Sequence, residues 1–170
     1  MIAKDIHIWK FKGLLLTALV FFCSCVLFAQ PALPQRTLTV IPTQPIIFGR
    51  FCVASAGTIT VGYDGSRSST GGIALIATPS AQPAIFEIKL CSGRMVSISF
   101  ATSIPLTGTN GGTLSLNLGP TDKGGNGASF STNNDCNFIT PLRVGGTLTV
   151  PGGVPAGSYT GSFSITFNQQ

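Results

Sequence analysis

The chain is poor in reactive and charged side chains. Its 170 residues hold one His, one Trp and two Tyr, and charged residues make up only 9%. The His and the Trp are His7 and Trp9, which lie beside Lys4, Asp5, Lys10 and Lys12 at the very start. From residue 30 onward there are seven cations, four anions (Asp64, Glu87, Asp122, Asp135) and no His, a formal charge of 7 − 4 = +3. Without His in that stretch there is no imidazole general base, no Ser-His-Asp or Cys-His nucleophile, and no His-ligated metal. No cofactor-binding motif and no metal-ligand set is expected.

What charge remains is dispersed. Arg36, Arg50, Arg67, Lys89, Arg94, Lys123 and Arg143 form no dense basic patch with aromatic partners, so nucleic acid is not an expected partner. Two carboxylates could serve a glycosidase. Asp64, however, sits in the turn signal Asp64-Gly65-Ser66, and Asp122 and Asp135 fall in a Gly/Asn-rich stretch. There an Asp side chain commonly bonds its own backbone. Glu87 is expected to pair with Lys89 on a strand face. Asp122, Asn126 and Asp135 could offer oxygens to calcium, but their spacing matches no dense acidic loop. The chain is therefore expected not to be an enzyme.

Residues 1–29 read as an export signal. Three Lys residues precede an uncharged run from Gly13 to Phe28, shorter than the roughly 20 residues of a membrane-spanning helix. Cleavage is expected between Ala29 and Gln30, leaving no membrane span, and an uncleaved anchor is the alternative. Cys23 and Cys25 lack the sequence context of a lipid attachment site. Export implies periplasmic transit to the cell surface or medium, where disulfides persist.

The mature chain, residues 30–170, is expected to be one domain. It carries 33 Ser or Thr and 20 Gly, and apolar residues recur with period two instead of 3.6. Ile59, Val61 and Tyr63 alternate with Thr58, Thr60 and Gly62. Ile73–Thr78 is almost continuously apolar. Ala84–Cys91, with Ala84, Phe86, Ile88 and Leu90 inward, and Val96–Phe100 are expected to form a hairpin around Ser92-Gly93. Leu114–Leu118, Leu142–Val150 and Ser158–Phe167 alternate likewise, and Arg36–Ile41 and Ile46–Val53 are further strands. Eight or nine short strands without crossover helices predict a single antiparallel β-sandwich, with a β-barrel as the alternative. Tyr63 and Tyr159 fall on inward faces, which weakens a sugar-binding platform.

A long loop, residues 119–141, interrupts the alternation. It is rich in Gly, Asn and Ser, and Phe130 within it could form a short extra strand. Three cysteines follow the signal, so one thiol is unpaired or intermolecular. Cys91 and Cys136 both flank loops and make the favoured disulfide, leaving Cys52 as a buried free thiol between Phe51 and Val53. Pairing of Cys52 with either of the others stays open.

An ordered set of short motifs carries a resemblance. Phe48-Gly49-Arg50-Phe51, Gly57-Thr58-Ile59-Thr60-Val61 with Asp64-Gly65-Ser66-Arg67, Thr70-Gly71-Gly72-Ile73 and Ala84-Ile85-Phe86-Glu87-Ile88 come first. Thr107-Gly108, Gly111-Gly112-Thr113-Leu114, Val144-Gly145-Gly146-Thr147-Leu148 and Gly157–Phe167 follow. No single motif is specific, but the ordered set over about residues 37–168 resembles the family called domain of unknown function 4402. That resemblance implies an exported bacterial β-sandwich, immunoglobulin-like or pilin-like, with no catalytic residues. Cys91 and the Cys136-bearing loop depart from the pattern. The expected role is an exported structural subunit, fimbrial or pilus-like, at the cell surface or secreted, whose partners are copies of itself or related subunits. In such assembly Arg36–Ile41 could be donated to a neighbour, although its simpler role is the first strand of its own domain. A binding module or adhesin recognising glycan or host protein through loop 119–141 is the alternative.

Overall fold

The Ser/Thr-faced alternation produces strands and no helix among the residues that the computed structural model describes, 37–90 and 92–170. The export signal with its Ala29/Gln30 junction, and Cys91, lie outside them. In chain order the strands are β1 (Thr39–Gln44), β2 (Phe51–Val61), β3 (Arg67–Leu75), β4 (Ala84–Lys89), β5 (Met95–Phe100), β6 (Ile104–Gly108), β7 (Thr113–Thr121), β8 (Ser129–Ser131), β9 (Thr140–Val150), β10 (Tyr159–Thr160) and β11 (Ile165–Gln169). Every pairing is antiparallel.

β9 organises the larger, eight-stranded sheet. One of its edges is covered by β7; along the other, β4 pairs with Thr140–Val144 and β2 with Gly146–Val150, end to end. The sheet therefore forks, with β1 outside β4, and β3 outside β2. Gly145 marks the fork. A Cβ there would lie 2.6 Å from the Val61 carbonyl oxygen and 2.9 Å from the Tyr63 nitrogen, so only glycine lets the two strand ends abut.

Each branch of the fork closes over its own core. On the first branch the sheet β3-β2-β9-β7-β6-β10 curls strongly into a half-barrel around Ile59, Val61, Leu114, Leu116, Leu148 and Val150. On the second, a three-stranded sheet, β11-β5-β8, packs across β1, β4 and the start of β9. It encloses Ile88, Val96, Ile98, Leu142 and Val144. Ile46, Leu118 and Phe163 pack against both cores. The fold is thus an all-β antiparallel sandwich, and the curl of its larger sheet supplies the partial barrel.

Several strand expectations are corrected. Segments 46–53 and 58–63 join into β2 with an irregularity between Val53 and Gly57, while Ile46–Arg50 precede the strand and make only an isolated bridge, Ile47 to Gln82. The expected strand 73–78 starts earlier, at Arg67, and ends at Leu75, leaving Ile76 41% exposed. Segment 158–167 splits into β10 in one sheet and β11 in the other. The hairpin between 84–91 and 96–100 does not form. β4 pairs with β1 and β9 and β5 with β8 and β11, while Ser92 (φ 69°) and Gly93 (φ 60°) carry the chain from one sheet to the other. Two alternating strands can bury their apolar faces side by side or face to face, and here Ile88 and Ile98, from different sheets, are buried in the same core. Arg36–Ile41 gives way to β1, which pairs within its own domain along β4. Phe130 does form the short strand β8.

Candidate functional site

An apolar cleft of about 880 Å³ opens at the mouth of the half-barrel, within the 300–1,000 Å³ range of ligand pockets. Its floor is Leu106, Leu114, Leu116 and Leu148, all inward residues of consecutive strands in the curled sheet. One rim is Phe48–Val53, and the other runs from Val154 to Gly161 and includes β10. No Asp, Glu, His or Lys lines it.

The first rim owes its position to a folded hairpin. β2 and β3 pair from Phe51↔Leu75 to Val61↔Arg67. An extended strand would separate residues four apart by roughly 13 Å, yet Ser69 Oγ donates to the Ile73 carbonyl at 3.1 Å. β3 therefore doubles back at Gly71 (φ 70°), where a side chain would run into the Ala56 carbonyl. The fold brings Arg67 from the turn end of the hairpin to its open end. There its Nη1 donates to the Ile76 carbonyl at 2.9 Å and its Nη2 to that of Arg50 at 2.8 Å. Burial lowers the pKa of Arg67, and its Nε is buried without a partner. Composition offered no sign of this clamp, because it depends on a bend that alternation does not encode.

On the opposite rim, Tyr159 packs its ring against the first core and donates its hydroxyl to the Pro155 carbonyl at 2.6 Å, fixing the 155–159 turn. This agrees with its inward expectation, whereas Tyr63, just past β2, is 41% exposed. Cys52 is free, as expected, but exposed instead of buried. Phe51 and Val53 take the core-facing positions of β2, so the residue between them points outward.

The carboxylates are dispersed and locally engaged. Ser66 donates to Asp64 Oδ1 through Oγ (2.6 Å) and N (3.0 Å), which holds the Asp64 pKa below the ordinary carboxylate value. Asn137 N donates to Asp135 Oδ1 at 2.9 Å. Asp122 Oδ1 accepts from Arg143 N at 2.8 Å, and its other oxygen lies 3.5 Å from Lys123 Nζ. Asn126 caps the end of β5, accepting from Phe100 N at 2.9 Å and donating to its carbonyl at 3.0 Å. The calcium trio is thereby engaged at three separate places, and among the described residues no group of three or more His, Cys, Asp or Glu could hold a metal. Glu87 and Lys89 form no salt bridge among the described residues.

Loop 119–141 is largely structured, carrying the end of β7, all of β8 and the start of β9. Its irregular part, residues 132–139, runs beside the chain reversal after β4. Ser92 N donates to Asn134 O and Gly93 N to Asn133 O, both at 3.2 Å. Cys136, in this part, is not a free thiol. Phe138 and Ile139 are 60% and 45% exposed.

No curated protein and no solved structure matches the chain. A family model does, over residues 38–168, nearly the whole of the described fold, and the chain accordingly belongs to the family described as domain of unknown function DUF4402.

Proposed function

We propose that the protein is a non-enzymatic, exported structural subunit of the cell surface or medium, fimbria-like, which associates with copies of itself or with related subunits. Residues 1–29 would be removed and residues 30–170 form the working domain. The observation carrying this reading is the makeup of the cleft. Its floor is aliphatic, its rims are strand and turn backbone, and no carboxylate, His or Lys lines it. Such a surface recognises shape and backbone. Fractionation of the native host, followed by shearing of intact cells, tests the reading: the mature chain should be released in high-molecular-weight material. Retention in the cytoplasm, or a strictly monomeric released form, overturns it.

Within this reading we assign the pair Cys91–Cys136. Support comes from the backbone bonds that bring residues 92 and 93 against 134 and 133, and from Cys52 being free while Cys136 is engaged. Non-reducing peptide mapping should link Cys91 to Cys136 and leave Cys52 alkylated.

A second reading, an adhesin recognising glycan or host protein, draws on the exposure of Phe138 and Ile139 on the proposed tethered loop. Glycan arrays and pull-downs with Phe138→Ser/Ile139→Ser test it; unchanged binding eliminates the loop.

A further inference from the structure

Five strands end the two sheets among the described residues, β1, β3 and β10 in the larger and β8 and β11 in the smaller. An open strand edge is a template for pairing with another chain, and proteins blunt such edges with Pro, bulges, bends or shortness. Four of the five are blunted in this way. β1 carries Pro42 and a register shift between Pro42 and Gln44, β3 folds back at Gly71, β10 has two residues and β8 has three. β11 instead runs for five residues in unbroken register with β5, and it contains no Pro and no charge.

The pairing with β5 fixes which backbone groups of β11 point away from it. Gln170 N donates to Met95 O at 3.0 Å. Hydrogen-bonded pairs alternate along an antiparallel ladder, so Asn168↔Ser97 and Thr166↔Ser99 are the pairs that exchange bonds. Ile165 and Phe167 lie between them and turn their N–H and C=O to the open side, where among the described residues neither bonds to another element. Their side chains pack against the second core yet are only partly buried, and the Phe167 ring lies 5.9 Å from that of Phe86, which is partly buried as well.

We propose that β11 is a self-association edge, along which two copies of the chain pair antiparallel, β11 beside β11, about a two-fold axis between facing Thr166 residues. This rests on the reading of the protein as a subunit that associates with copies of itself and specifies the surface it uses. Ile165 of one copy faces Phe167 of the other, and each such pair exchanges two backbone bonds. The partner is a second copy because the edge fits itself: its two open residues are spaced so that each meets the other across the axis, and no charge on the strand opposes the approach. Opposed residues share one face of a sheet. Ile165 and Phe167 of both copies therefore cover one another's exposed flanks, and β8-β5-β11 becomes half of a continuous six-stranded antiparallel sheet. Two pairs of residues make a small contact, so the dimer forms reversibly.

The test uses the purified mature chain with Cys52→Ser, which removes the exposed free thiol. Sedimentation velocity over a concentration series should show a monomer–dimer equilibrium. Thr166→Lys sets two cations face to face at the axis and should weaken the dimer by about ten-fold or more, with Tm unchanged because Thr166 is exposed. Thr166→Cys should give a disulfide-linked dimer on mild oxidation, since residues opposed without backbone bonds lie about 4.5 Å apart at Cα, within disulfide range. Asn168→Cys should not, because in this register the two copies of residue 168 are offset by four positions, roughly 13 Å. A monomer at every concentration, a dimer that Thr166→Lys leaves unchanged, or cross-linking through position 168 instead of 166 overturns the proposal. The assay needs neither export nor a host, so its failure is distinct from failure of the surface-release experiment, where a subunit can assemble through another surface.

Discussion

At the scale of single residues, the most informative positions are those where a side chain is excluded or a charge is tied down. Gly145→Ala puts a methyl against the backbone of β2 and should cost about 1–3 kcal/mol in denaturant unfolding, as other forced overpacking does. Gly125→Ala, at a position with open space around it, is the control and should be close to neutral. Arg67→Ala removes two bonds from a charged donor to carbonyls of the cleft rim. The expected loss is about 1–2 kcal/mol, toward the low end for charge-assisted bonds because the side chain is partly exposed. Exchange of the Ile76 amide, bonded to Arg50 O at 3.0 Å, should speed up in the same variant. Asp64 gives a pH signature. Its pKa is lowered in the fold, so the turn bonds are at full strength above the unfolded-state value of about 4 and are lost as pH falls through the lower folded value. The Ser66 amide resonance should titrate with a midpoint below that of an unfolded peptide, and Asp64→Asn should abolish the titration.

At the scale of elements, the sequence shows which residues face inward and leaves open which strand lies beside which. The inward sets of β2, β7 and β9 were legible because Ile59, Leu114, Leu116, Leu148 and Val150 alternate with Thr or Ser, and all five are buried. The side-by-side hairpin was the wrong choice for β4 and β5 because alternation is equally satisfied across a core. β6 escaped notice because Pro105 and Gly108 weaken a five-residue signal. The unbroken alternation of 158–167 concealed a change of sheet at Gly161, where a side chain would meet Leu106 and the Pro105 carbonyl. The cleft was invisible for the same reason: it arises from a folded hairpin, which is not a local pattern. Loop 132–139 also yields a prediction at this scale. If Cys91 and Cys136 are joined, reduction should destabilise the domain by up to about 4 kcal/mol for a closed loop of this length, and Phe138 should become more accessible to limited proteolysis.

At the scale of the whole molecule, the two branches have separate cores yet share one strand. The first half of β9 contributes Leu142 and Val144 to one core, and its second half contributes Leu148 and Val150 to the other. Neither core can lose β9 without exposing the other, so heat or denaturant should unfold residues 37–170 in one transition by fluorescence and circular dichroism alike. The slowest-exchanging amides should lie along β9 on both sides of Gly145, with exchange governed by global opening. The fork in the sheet thus makes the protein one cooperative unit in which an event at the mouth of the half-barrel is felt as protection in the opposite core.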